Sequence, residues 1–245
     1  MNNPIYAPKG RAKEYGDYAL NIYTGCPHGC YYCFAPGVLC KDRERFHADV
    51  RPRDGLVEAT KKQLASGGIK GKTIHLCFTC DPYPAGIDTS VTRKIIKAIK
   101  DSGNHVQLLT KAGQEATRDL DLLDCFDWFG VSYAGYEPWE AYEHTQSEPN
   151  AAPPAQRLAA LEEAHKRGVR TWISLEPVLN ARDALSLLEL PFSYIDRYKI
   201  GKLNHHLSTI DWKEFGHKAE EICKRKEYDY YIKDDLRKEM EILTE

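Results

Sequence analysis

The stretch Tyr18-Ala19-Leu20-Asn21-Ile22-Tyr23-Thr24-Gly25-Cys26-Pro27-His28-Gly29-Cys30-Tyr31-Tyr32-Cys33-Phe34 joins a strand candidate, Tyr18 to Tyr23, directly to three cysteines on one short loop. A short run rich in apolar and aromatic residues, closed by Thr24-Gly25, has the character of a buried strand. Five more such runs follow: Thr73 to Thr79, His105 to Thr110, Asp127 to Ser132, Arg170 to Leu175 and Tyr194 to Ile200. Helical periodicity fills the gaps. Asp54 to Ala65 places Leu56, Val57, Ala59 and Leu64 largely on one face, and Val91, Ile95 and Ile99 repeat that pattern behind the capping candidates Thr89 and Ser90. Gly103 supplies a stop there, and a further helix opens at Pro153-Pro154, turns Leu158 and Leu161 inward and ends at Gly168. Strands alternating with helices define repeated βα units around a parallel sheet, so the predicted class is α/β. In such sheets ligands bind at the C-terminal edge of the strands, where the three-cysteine loop falls.

Around this core, residues 1–17 read as an N-terminal extension, 18–210 as the barrel-like unit and 211–245 as a C-terminal α/β extension. The last holds a helix from Trp212 through Lys224, a Tyr-rich strand from Tyr228 to Ile232 and a charged helix. No stretch rich in Gly, Pro or Ser separates a further domain.

The chain has 245 residues, 42% hydrophobic and 29% charged, the composition of an ordinary globular protein with a substantial core. Its net charge of −2 gives no global attraction to nucleic acid, so any such binding needs a local patch. Lys41, Arg43, Arg45, Arg51 and Arg53, interleaved with Phe46 and His47, form one basic stretch; Lys224, Arg225 and Lys226 form another. Taken alone, each reads first as a solvated loop or a helix end. The residues from Met1 to Tyr18 contain no apolar segment like a signal-peptide core, and no membrane-length apolar run follows. A cytoplasmic location is therefore expected. Eight cysteines in a reducing compartment point to metal binding or redox chemistry rather than disulfides.

Three thiolates can ligate three corners of a cubane iron–sulfur cluster and leave the fourth iron open, which implies chemistry at that iron. The alternative is a closed structural zinc site completed by His28, Cys40 or a distant cysteine, and spacing alone leaves both open.

The pattern Cys-x3-Cys-x-aromatic-Cys after a first strand resembles the signature of the radical S-adenosylmethionine (SAM) enzymes. The resemblance implies a partial (β/α)6 TIM-type barrel, a [4Fe-4S] cluster on Cys26, Cys30 and Cys33, and SAM chelated by the open iron. Reduction then cleaves SAM to methionine and a 5′-deoxyadenosyl radical, with an electron donor such as flavodoxin or ferredoxin as partner. It also implies that Tyr32 lies against the adenine, Thr79 and Asp81 meet the SAM amino group, Ser132 meets the ribose, and Glu176 faces the same pocket; Lys199 and Asn204 are weaker choices.

From about Tyr15 to Asn204 the chain is further similar to the spore photoproduct lyase-like group, through Tyr18 to Phe34 and through Asp81 followed by Gly86-Ile87-Asp88. That likeness implies DNA-repair-like radical chemistry with nucleic acid as a partner. In those lyases a cysteine on the second strand returns a hydrogen atom, assisted by two tyrosines around the third cluster cysteine. Here Phe78 takes the cysteine position, Tyr32 is kept and Phe34 lacks the second hydroxyl. Strand alternation puts Phe78 and Cys80 on one face and Cys77 and Thr79 on the other, so Cys80, with Tyr32, is the expected catalytic pair. As small hydrophobic residues, Cys77 and Cys80 also fit a buried core. Tyr133, Tyr136, Trp139 and Tyr142 offer rings on which a base could stack. Two other classes stay open: a radical SAM enzyme acting on a peptide or small molecule, and a non-enzymatic zinc or Fe–S module.

Overall fold

The computed structural model describes residues 3–134 and 146–241. The runs expected as strands form β1 (Tyr18–Leu20), then a loop with the short helices α1 (Ala35–Val38) and α2 (Arg43–Ala48), and α3 (Leu56–Ala65) leads to β2 (Thr73–Leu76). α4 (Ser90–Asp101) precedes β3 (His105–Thr110), a 3-10 segment Gln114–Leu122 precedes β4 (Trp128–Ser132), and α5 (Pro154–Lys166) precedes β5 (Arg170–Leu175). α6 (Ala181–Glu189), β6 (Arg197–Ile200), α7 (Trp212–Arg225), β7 (Tyr230–Ile232) and α8 (Asp234–Glu241) complete the described chain. The strands form one sheet in sequential order, every adjacent pair parallel. The Tyr-rich strand expected in the C-terminal extension is thus a seventh strand of the same sheet, with Ile232 beside Ile200.

The sheet is curled, and one side chain shows it. Tyr15, from the 3-10 segment Gly10–Tyr15, has its ring centroid 5.2 Å from that of His75 on β2 and 5.9 Å from that of Trp172 on β5, while the Lys233 ammonium just past β7 sits 4.7 Å from it. In a flat sheet with strands ~4.8 Å apart, β2 and β7 would be separated by roughly 24 Å. The sheet therefore closes around the segment before β1 as a half-barrel. Tyr6 and Ala19 exchange backbone hydrogen bonds of 3.0 and 2.9 Å, and Gln63 on α3 binds both the N–H and C=O of Ile5. Tyr15 is then fixed inside by Gln107, whose amide donates to its carbonyl at 2.8 Å.

Trp172 is the largest fully buried side chain among the described residues and crosses over Gly130 to donate its indole N–H to the Leu108 carbonyl on β3 at 3.0 Å. A Cβ on Gly130 would lie 2.2 Å from the indole. Gly130→Val should therefore lower the unfolding free energy by about 1–3 kcal/mol, the usual cost of overpacking. A denaturant midpoint equal to wild type would refute this packing.

Candidate active site at the C-terminal edge of the barrel

A cavity of about 610 Å³ opens at the C-terminal edge of the strands. Cys26, Cys30 and Cys33 line one wall; Cys77, Phe78, Thr79, Cys80 and Asp81 line another; Ser132, Glu176 and Asn204 complete it with Tyr32, Tyr15 and Tyr6. Thus every residue singled out as cofactor-binding, metal-ligating or catalytic, apart from the weaker choice Lys199, borders one space.

The cysteine loop is held by backbone clamps. Arg43 donates to the carbonyls of Cys30, Tyr31 and Cys33, Lys41 to that of Thr24 at 2.7 Å, and His47 Nδ1 lies 2.7 Å from the Cys26 carbonyl. Gly25 permits this approach, because a Cβ there would sit 2.1 Å from the Phe46 carbonyl oxygen. Two cations of the basic stretch are therefore spent on the loop rather than displayed to a phosphate backbone. On the other side, Tyr31 N–H donates to the Ser147 carbonyl at 3.1 Å, and Asn150 reaches Pro27 and His28 at 2.9 and 3.1 Å.

Cys30 is buried and Cys26 and Cys33 are half-buried. Burial pushes the Cys30 thiol up to about 12 and the Cys26 thiol well above its ordinary range; only a bound metal would make either a thiolate near neutral pH. A tetrahedral zinc with Zn–S bonds of ~2.3 Å holds its sulfurs about 3.8 Å apart. Among the described residues no three cysteine sulfurs lie within 4.8 Å of one another, nor does His28 or Cys40 close such a group with them. The spread fits the larger body of a cubane cluster. His28 instead turns Nδ1 toward Asp81 at 3.6 Å. The group whose ligand atoms do converge, His105, Asp124 and Asp127, already has the Lys100 ammonium bridging both carboxylates.

Tyr32 packs edge-on against Tyr31 under the Lys111 ammonium, 5.7 Å from its ring centroid, and donates its hydroxyl to Glu148. Glu148 and Arg157 form a fully buried ion pair, and Arg157 also donates to the carbonyls of Ser132 at 2.9 Å and Ala152 at 2.7 Å. Sequence reading missed this pair, since neither residue stands in a motif. The Thr79 hydroxyl is buried on the cavity wall without a partner among the described residues. Asp81 accepts from Tyr83 N–H at 2.8 Å, the Thr110 hydroxyl at 2.6 Å and Lys111 N–H at 2.7 Å, so its carboxylate fastens this turn to the end of β3.

Glu176 accepts from the Tyr15 hydroxyl at 2.9 Å, from Lys233 and from Asn204 at 3.4 Å, and the absence of a side chain on Gly201 makes room for it. Lys199 is committed elsewhere: its ammonium donates to the Glu14 carbonyl at 2.9 Å and lies over the Tyr15 and Trp172 rings. Tyr133 is buried and does not line the cavity, whereas Tyr136, Trp139 and Tyr142 lie outside the described residues.

The second strand departs from the expected run to Thr79. β2 ends at Leu76 because Cys77 adopts a left-handed φ of 73°, and the Asn21 side-chain carbonyl takes the N–H groups of Phe78 at 2.8 Å and Thr79 at 2.9 Å. Period-two alternation ends with the strand, so the separation of Cys77 from Cys80 onto opposite faces is corrected: both border the cavity.

His75 sits at the barrel floor, stacked on Phe78 at 4.3 Å. Burial, then the charges of Lys199 and Lys233, lowers its pKa to about 3. The unfolded chain takes up a proton near pH 6.5 that the folded chain refuses until about pH 3, so stability falls as pH drops through that window, by about 1.4 kcal/mol per unit. His75→Gln should flatten this acid limb in denaturant titrations; an unchanged slope would contradict the assignment.

Residues 20–180 match the family model of the radical SAM superfamily. The chain belongs to that superfamily and is an enzyme of the radical SAM class, whose members work with a [4Fe-4S] cluster and SAM. An uncharacterized protein of Methanocaldococcus jannaschii is 28% identical over 190 residues, covering 73% of this chain and 70% of its own length. Uncharacterized proteins of Acidianus two-tailed virus and Mycobacterium tuberculosis are 29% and 27% identical, over 69% and 66% of this chain but 58% and 49% of their own lengths. Among solved structures, spore photoproduct lyase with bound AdoMet and dinucleoside spore photoproduct superposes with a TM-score of 0.68 at 16% identity, over 93% of this chain and 79% of that one. Streptococcus suis SuiB bound to S-adenosylmethionine gives a TM-score of 0.61 at 11% identity, over 87% of this chain and 50% of that one. The fold is thus that of the lyase.

Proposed function

We propose that this chain holds a [4Fe-4S] cluster on Cys26, Cys30 and Cys33, binds SAM in the adjoining cavity, and directs the resulting radical at a nucleic acid substrate in a lesion-repair or modification reaction. The observation carrying this reading is the single cavity that joins the three cluster cysteines to a wall of thiols and polar groups. When bound, the cluster supplies the electron that breaks the SAM sulfonium bond. The chain's own residues do the rest. Tyr32 offers a ring face for the adenine, the free Thr79 hydroxyl a hydrogen bond for the amino acid end, and Ser132, anchored through its carbonyl by Arg157, one for the ribose. Glu176, held by Tyr15 and Lys233, adds a carboxylate at the cavity edge, and Asp81 keeps the Thr79 turn in place. Cys80 stands as hydrogen-atom donor. A reducing cytoplasm and a flavodoxin or ferredoxin donor go with this chemistry. No helix among the described residues is long and apolar enough to cross a membrane.

Anaerobic incubation with SAM, dithionite and either ultraviolet-treated oligonucleotides or peptides, followed by mass analysis, tests the reading. Modified oligonucleotide with 5′-deoxyadenosine is expected; modified peptide alone would favour the second reading, a peptide substrate. That second reading draws on the commitment of Lys41 and Arg43 to the cluster loop and on the likeness to SuiB, also known bound to the precursor peptide SuiA. Ser132→Ala and Thr79→Val should each weaken SAM binding by about 1 kcal/mol with iron content unchanged. Wild-type affinity in both would remove them from the site.

A further inference from the structure

The turn that ends β2 brings together two thiols that the alternation of a strand would have separated. Cys77 takes its left-handed φ of 73°, an uncommon conformation for a residue with a side chain, and Asn21 pins the next two N–H groups. Cys77 and Cys80 are thereby brought onto the same wall of the cavity, where their thiols interact. Cys80 Sγ also accepts the Tyr23 N–H at 3.3 Å. Both residues border the cavity, Cys80 the more open and Cys77 almost wholly buried. The geometry is that of an attacking thiol with a resolving thiol behind it, spaced Cys-x-x-Cys within one turn.

We propose that Cys77 and Cys80 form a redox-active dithiol on the cavity wall, closed to a disulfide by exchange with a small disulfide and reopened by two equivalents of a small thiol. Cys80 as thiolate attacks one sulfur of the incoming disulfide and releases the other half as a thiolate. Cys77 then gives its proton to solvent and attacks the Cys80 sulfur, releasing the second thiolate. Two thiols of the chain are oxidised to one S–S bond and one external disulfide is reduced to two thiols. The Tyr23 N–H and the neighbouring Cys77 thiol favour the thiolate of Cys80 and lower its pKa, while burial raises that of Cys77. The open pair presents an S–H to the cavity and the closed pair presents none. This consequence for hydrogen-atom donation rests on the radical reading above; the exchange itself does not.

The test uses the iron-loaded enzyme, equilibrated anaerobically in glutathione buffers from fully reduced to fully oxidised, quenched in acid, alkylated and mapped by mass spectrometry. Cys77 and Cys80 should lose alkylation together, with a Cys77–Cys80 peptide lighter by two hydrogens, and regain it together on return to reduced buffer. Cys77→Ser should trap a glutathione adduct on Cys80 that wild type resolves. Both thiols staying alkylated in the oxidised buffer, or Cys80 pairing with any other cysteine, would overturn the proposal. Iron content and 5′-deoxyadenosine formation, measured on the reduced sample, report separately on the cluster and SAM reading. A chain that cleaves SAM but never closes the pair refutes only the dithiol.

Discussion

Cys30→Ala should yield a colourless protein after anaerobic reconstitution and lose 5′-deoxyadenosine formation by at least several orders of magnitude, and Cys26→Ala and Cys33→Ala should do the same. The expectation follows from the spread of the sulfurs. Cys26, Cys30 and Cys33 are too far apart to share one small ion, and no fourth cysteine or histidine converges with them among the described residues, so no reserve ligand can replace a lost one. Cys40 is exposed beyond α1, and His28 is buried against Asp81. Burial also raises the thiols when metal is absent, so two remaining cysteines would stay protonated near neutral pH and bind iron weakly. The variants should nevertheless fold, because the clamps on the loop run through the carbonyls of Cys26, Cys30 and Cys33 and not through their sulfurs. Iron counting, the visible spectrum and product analysis check this together. Near-wild-type iron and cleavage in Cys30→Ala would exclude the assignment of the loop as the cluster site.

The half-barrel was legible because its strands are short apolar runs separated by strongly amphipathic helices, and the six expected runs all contribute strands to the sheet. Their ends were less so, for reasons outside the pattern. β2 stops early because Cys77 turns left-handed and Asn21, on the neighbouring strand's exit, takes over two N–H groups. β6 starts at Arg197 because Asp196 is used as a side-chain acceptor for Thr171 N–H at 2.7 Å. The barrel interior was illegible: Tyr15, Glu176 and Lys233 meet from three distant parts of the chain, and no local spacing announces a contact of that range. The role of the basic stretch from Lys41 was hidden in a different way. Charge is compatible with a surface for anions, but Arg43 clamps three carbonyls of the cysteine loop and Lys41 a fourth, a use that composition does not reveal.

Arg157→Met should lower the unfolding free energy by about 3–5 kcal/mol, the cost of stranding one partner of a buried ion pair. Both members are almost completely shielded from water, Arg157 with 1% and Glu148 with 0% of the side chain exposed. Lys111, 3.9 Å from Glu148, is too distant to replace the bidentate reach of a guanidinium that also ties down the carbonyls of Ser132 and Ala152. The damage should extend to the site. Glu148 receives the Tyr32 hydroxyl, and its neighbours Ser147 and Asn150 hold Tyr31, Pro27 and His28, so loosening this segment slackens the outer side of the cysteine loop. Cluster incorporation should therefore drop along with stability. Pairing the change with Glu148→Gln removes the stranded charge, and the double variant should recover part of the loss, giving a coupling of more than about 1 kcal/mol in the double-mutant cycle. Chemical denaturation of the four proteins supplies the cycle, and iron content supplies the link to the loop. Additive effects of the two changes would mean that the pair stabilises neither the fold nor the loop as a unit.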